Sequence, residues 1–235
     1  MKKIWFTIIG GSKSKAFLSL FVSTALVFSS LVFAFYPVLE PIITTAVTDD
    51  VLVSLSITSE ITISAPSNVT LSSISGMTGG SSTSSAIAWT VITNDTAGYS
   101  LTLKKDTLLR SGAGGTDKEL ADYTEAVSGT PDYSWGSVGA GNEEFGFAPS
   151  SGDDFVQTFK NNGASCDQSG GSITDEKCWL DIPTTPTTES IASKSSATGS
   201  SGSATAIKVK AEVGASNYLE EGTYTSTLTA TAVTN

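Results

Sequence analysis

Several stretches of the chain alternate apolar and polar residues with a period of two, the signature of β-strands with one buried face. The longest runs from Val51 to Ser64. Val51, Val53, Leu55, Ile57, Ile61 and Ile63 fall on one face, broken by Ser59, against Ser54, Ser56, Thr58, Glu60, Thr62 and Ser64 on the other. This predicts one long strand. A connector over 37–50, with Pro37, Pro41 and the acidic Asp49-Asp50, leads into it, and Ala65-Pro66-Ser67-Asn68 turns the chain after it. Val69–Ile74 is expected to form a short second strand, and Gly76–Ser85 a flexible loop too polar to pack.

Ala86–Thr93 puts Ile87, Trp89 and Val91 on one face, and Tyr99–Lys104 puts Tyr99, Leu101 and Leu103 on one face. The short turn Asn94-Asp95-Thr96-Ala97-Gly98 between them predicts an antiparallel hairpin. Residues 105–204 are less regular and read as a long insertion. Within it, Lys118–Tyr123 is expected to make a helical turn. Phe145, Phe147, Phe155 and Phe159 suggest short strands or packed loops. Of the 23 residues from Thr184 to Ala206, 13 are Ser or Thr, which predicts a surface loop. Alternation resumes at Ile207–Val213 and in Gly222–Thr234, where Tyr224, Leu228, Ala230 and Ala232 share a face. Regular strands on both sides of an irregular middle favour one antiparallel β-sandwich over 47–235, with 105–204 inserted, rather than two domains.

Residues 1–46 read as an address. Lys2, Lys3, Lys13 and Lys15 precede Ala16–Tyr36, 21 residues without a charge, of which 12 are Leu, Val or Phe. No polar face interrupts the run, so it predicts an N-terminal hydrophobic helix at the membrane rather than a core helix. Lysines before it and acids after it orient the downstream chain to the outside. Cleaved signal peptide and retained anchor both remain open. Small-residue cleavage patterns stand at Val32-Phe33-Ala34 and Thr44-Thr45-Ala46. The remaining residues carry 9 basic and 22 acidic side chains, since 4 of the 13 and 1 of the 23 lie in 1–46, a net charge of −13. That surface repels phosphate backbones and argues against nucleic acid as a partner. Cys166 and Cys178, with eleven residues of polar loop between them, fit an oxidising compartment and predict one disulfide.

Trp89–Leu103 (W-T-V-I-T-N-D-T-A-G-Y-S-L-T-L) and the closing G-T-Y-T-S-T-L-T-A-T-A resemble the strand pattern of bacterial surface β-sandwiches of the WxL and fimbrial or spore-coat-U type. They are also similar to exported proteins of ultra-small bacteria. Tyr99 stands where the WxL pattern has Trp. The resemblance covers about a fifth of the chain and implies an extracellular, immunoglobulin-like all-β sandwich at the cell surface.

Candidate chemistry is sparse. His is absent, so Ser-His-Asp, Cys-His and His-ligated metal sites are excluded. The one S-x-x-K, Ser12 to Lys15, lies in the basic N-terminus. Glu143-Glu144 and Asp153-Asp154 are the acid pairs a glycosidase would need, and with Asp49-Asp50 they are the oxygen clusters calcium would need. Neighbouring acids in loops are more commonly solvated charge, so no cofactor is expected. Tyr133, Trp135 and Trp179 sit in polar, irregular sequence, where exposed rings would stack on sugars and buried ones would close the sandwich edge. Asn68-Val69-Thr70 and Asn94-Asp95-Thr96 match the glycosylation sequon. The expectation is a non-enzymatic exported surface protein with a structural or adhesive role, whose partners are other surface proteins or copies of itself, with the membrane as a further partner if the helix is retained. A carbohydrate-binding module is the alternative, and a glycosidase comes third.

Overall fold

A computed structural model describes residues 49–112 and 119–235. It divides into two units, Met1–Leu55 and Ser56–Asn235. The expected N-terminal helix lies outside the described residues; among those described, no helix is long and apolar enough to cross a membrane.

The second unit is all-β. Its strands are β1 (Ile61–Ile63), β2 (Gly80–Thr83), β3 (Ile87–Thr93), β4 (Tyr99–Lys105), β5 (Leu109–Ser111), β6 (Glu119–Leu120), β7 (Glu143–Ser151), β8 (Glu189–Lys194), β9 (Ser203–Val213), β10 (Tyr224–Thr225) and β11 (Leu228–Thr234). A single 3-10 turn, Gln157–Phe159, is the helical element among the described residues of this unit. Every strand pairing is antiparallel.

The largest sheet is built on β9, whose buried residues alternate from Ile207 to Val213 after the consecutively buried Thr205, Ala206 and Ile207. Ile207 pairs with Pro149 of β7 and also with Ile87 of β3, so those strands flank β9 on opposite sides. Ala211 pairs with Ser82 of β2 and also with Phe145 of β7, which places β2 end to end with β3. β1 lies outside β3. A second sheet has the order β11-β4-β8, and a small third sheet the order β10-β5-β6. The first two sheets share one apolar core, to which β3 gives Ile87, Trp89 and Val91, β4 gives Tyr99, Leu101 and Leu103, and β7 gives Phe145 and Phe147.

The inward faces expected for β3, β4 and β9 are present, but several partnerships differ from expectation. β3 and β4 do not form a hairpin. Each is hydrogen-bonded on both sides to other strands, β3 by β1 and β9, β4 by β11 and β8, so neither has a side free for the other. The chain between them passes from one sheet to the other. Asp95 shapes that passage, accepting from Ala97 N at 2.8 Å through its side chain and from Gly98 N at 3.1 Å through its carbonyl. Gly98 adopts φ +85°, and a Cβ there would lie 1.9 Å from the Lys194 carbonyl oxygen, so only glycine fits.

The long strand expected over Val51–Ser64 is reduced to the three residues of β1. Val69–Ile74 forms no strand, although Val69, Leu71 and Ile74 pack on the core as irregular chain. Gly76–Ser85, expected as a loop, contains β2, because its backbone pairs with β9 and needs no apolar face to do so. Glu119–Leu120 is a strand, not a helical turn, held in the third sheet by β5. The stretch 105–204 contributes β7 and β8 to the two main sheets, so it builds the core rather than hanging from it. The Ser/Thr-rich 184–206 likewise contains β8 and the start of β9.

Candidate functional site

Three features stand apart from ordinary core packing. The first is the chain entering the second unit. Val51, Leu52, Val53, Leu55 and Ile57 are 81–92% exposed, although Val51, Val53, Leu55 and Ile57 keep strict strand alternation. Beyond them the chain is fastened to the turn after β3. Asn94 Nδ2 donates to Thr58 O at 2.9 Å, Glu60 N donates to Asn94 Oδ1 at 2.7 Å, and Ser59 Oγ donates to Asp95 at 2.8 Å. Residues 51–57 thus carry a strand's side-chain pattern without the regular structure of one.

The second is a polar pocket beside the disulfide. The sulfurs of Cys166 and Cys178 are bonded at 2.07 Å, and Cys178 is fully buried. Ser172, inside the segment they close, exchanges backbone hydrogen bonds at 2.9 and 3.0 Å with Asn161, which precedes it. A pocket of about 480 Å³ opens here, lined by Asn161, Asn162, Gln168, Ser169, Ser172 and Thr174 with three glycines. Its lining has no charged group. Asn161 is 3% exposed, and its Oδ1 accepts from Gly163 N at 3.1 Å and Thr174 Oγ1 at 3.2 Å, while its Nδ2 is enclosed without a partner. Amides and hydroxyls of this kind can hydrogen-bond a neutral, hydroxyl-rich ligand.

Of the aromatic residues proposed for stacking, Trp135 and Trp179 are brought into ring contact, Tyr133 packs on the main core, and all three are substantially covered. Trp179 is 2% exposed and donates from Nε1 to the Glu176 carbonyl at 3.0 Å. Trp135 is half-buried between Tyr123, 4.4 Å away, and Trp179, 5.0 Å away, with the Lys210 ammonium 4.6 Å from its ring. Tyr133 is also half-buried, under the Lys177 ammonium at 4.7 Å. Ala148 alternates with Phe147 on β7, so Tyr123, Trp135 and Trp179, which pack with Ala148, lie on the face of β7 opposite the main core.

The third is a buried cation. The inward row of β4 runs Tyr99, Leu101, Leu103 and ends at Lys105, which is 0% exposed. Its Nζ donates to Asp122 Oδ1 and to the Ile182 carbonyl. Further acids stand around it. Glu125 Oε1 accepts from Asp181 N at 2.8 Å. The Asp181 carboxyl is pushed up to about 6, chiefly by burial and then by the charges of Glu125 and Asp122. Burial, followed by Asp181 and Glu125, also raises Glu189. Sequence reasoning missed this site, because the strand was ended at Lys104. Carrying the alternation one position further would have pointed Lys105 into the core.

Of the acid pairs considered for calcium or glycoside cleavage, Asp49-Asp50 is exposed, while Glu143-Glu144 and Asp153-Asp154 are each tied into local structure through one member or both. Asp154 takes the Lys194 ammonium at 3.0 Å and the Ser203 hydroxyl, and Glu143 accepts from Asn217 Nδ2. Burial holds the Glu144 carboxyl above its ordinary range. Among the described residues, no group of three or more Cys, Asp or Glu side chains is placed to hold a metal. No family model matches this chain, and neither a curated protein nor a solved structure does.

Proposed function

We propose that this is an exported cell-surface protein with a structural or adhesive, non-enzymatic role: an immunoglobulin-like sandwich that joins copies of itself through residues 51–57. The carrying observation is the exposure of Val51, Val53, Leu55 and Ile57 in strand alternation. An extended segment with one apolar face becomes stable when it adds to an open sheet edge, which supplies both backbone partners and a place to bury that face. β11 is such an edge. Its seven residues pair with β4, and no other strand pairs with it among the described residues. Burying four aliphatic side chains would contribute roughly 1.5–3 kcal/mol each. That total is comparable with the estimated 4–15 kcal/mol lost on association. The seven-residue backbone ladder must therefore supply the margin. Donation from each copy to the next gives an open chain of subunits when the rotation does not close.

The N-terminal lysines, the apolar run and the disulfide support export. Sedimentation of the exported portion and of a variant lacking Val51–Ile57 tests the reading. The intact protein is expected to form oligomers that the deletion abolishes while the fold survives, and a Val51–Ile57 peptide should cap the intact protein. A monomeric intact protein at high concentration overturns it. The uncharged pocket at Asn161 favours carbohydrate binding as a second reading. A glycan array with wild type and Gln168→Ala tests it, binding lost in the variant supporting it and no binding by wild type excluding it.

A further inference from the structure

We propose that Lys105 and Asp122 form an intramolecular amide bond, a covalent cross-link between β4 and the chain following β6. A primary amine ends the inward row of a core strand, where the pattern places apolar side chains, and the carboxylate it touches belongs to a separate segment. Both ends are held by their backbones. Lys105 N donates to Pro183 O and Thr185 N donates to Lys105 O, each at 3.0 Å. On either side of Asp122, Tyr123 N donates to Phe145 O and Phe145 N donates to Ala121 O, each at 2.9 Å. Amine and carboxyl are therefore fixed in contact, the arrangement that turns a slow bimolecular condensation into a favourable intramolecular one.

The chemistry balances without a co-reactant. Lys105 Nζ attacks Asp122 Cγ, a C–N bond forms, and the bond from Cγ to one carboxyl oxygen breaks. Of the three ammonium protons, one stays on the amide nitrogen and two leave with that oxygen as water. Asp181 interacts electrostatically with both reacting groups, and a carboxyl pushed up to about 6 can take a proton from nitrogen and return it to the leaving oxygen. The product removes the cost of keeping the Lys105 ammonium out of water, beside an Asp122 side chain that is 34% exposed. The remaining amide N–H can still donate to the Ile182 carbonyl that Lys105 already contacts. This inference is independent of the assembly proposed above, because it concerns one chain.

Intact mass spectrometry of the purified full chain, reduced and denatured, tests it. The expected mass is one water below that of the covalent sequence, or of its processed form if the N-terminus is removed. Digestion should yield a branched peptide joining Lys105 to Asp122. Lys105→Arg and Asp122→Ala should each restore the missing water, and Asp181→Asn should lower the cross-linked fraction. An unchanged fraction in Asp181→Asn would remove Asp181 from the reaction. Wild-type protein at full mass, with Lys105 and Asp122 in separate linear peptides, would show an ion pair alone and overturn the proposal. Loss of water mapped to any other pair would overturn it as well. The wild-type measurement decides even where a variant fails to fold.

Discussion

Trp89→Ala probes whether the alternation along β3 marks the core shared by the two main sheets. Trp89 is 5% exposed, flanked on its own face by Ile87 and Val91 and paired across the sheet with Thr205 of β9. A buried aromatic of this kind covers roughly 150–250 Å², worth roughly 4–6 kcal/mol at 25 cal/mol per Å². Replacement by alanine keeps a little of that area and leaves a cavity, so the expected loss is roughly 3–5 kcal/mol. In a unit of this size each kcal/mol moves the melting midpoint by roughly 2–4 °C, which puts the variant roughly 6–20 °C below wild type. Ile92 is the internal control. It lies on the opposite face of the same strand and is 40% exposed, so Ile92→Ala should cost roughly 1 kcal/mol or less. Guanidinium unfolding followed by far-ultraviolet circular dichroism measures both variants without relying on the removed indole. A Trp89→Ala loss under about 1 kcal/mol, or an Ile92→Ala loss as large as that of Trp89→Ala, would refute the assignment of faces.

Gly98→Ala should cost roughly 1–3 kcal/mol from backbone strain, and more from collision with the Lys194 carbonyl, and thermal melts against wild type will read the difference. Replacing Cys166 and Cys178 together by serine releases a short loop and should cost about 3 kcal/mol in chemical denaturation, with no free thiol detectable in the denatured, unreduced wild type. Glu189 has its folded-state carboxyl raised above the ordinary value of 4.5, so the native state holds its proton longer than the unfolded state does. Wild-type stability from this group therefore falls as pH rises from about 4.5 through the raised value. Glu189→Gln should be stabilising at pH 8 and neutral at pH 4, as denaturation midpoints at the two pH values will show.

The faces of β3, β4, β9 and β11 were legible because a period of two reports which side of a strand is buried. Partners were not legible, since the same alternation fits a neighbour in sequence or a strand a hundred residues away. Thus Ala86–Thr93 and Tyr99–Lys104 read as a hairpin, but the strands they form belong to different sheets. Gly80–Thr83 was missed because its backbone, not its side chains, makes it a strand, with Ser82 buried where an apolar residue was sought. Val51–Ile57 shows the converse: its side chains announce a strand, yet the described chain gives it no regular pairing. The pocket at Asn161 left no periodic trace, since irregular chain on both sides of Cys166 builds it. Lys105 was legible in principle, because it continues the inward row of Tyr99, Leu101 and Leu103.

The central claim, that residues 51–57 join copies of the protein into a surface assembly, is tested most directly by negative-stain electron microscopy of the purified exported portion beside the Val51–Ile57 deletion. The account predicts filaments or extended arrays from the intact protein and discrete particles from the deletion. Discrete single particles from both samples, at concentrations well above those at the cell surface, would contradict it.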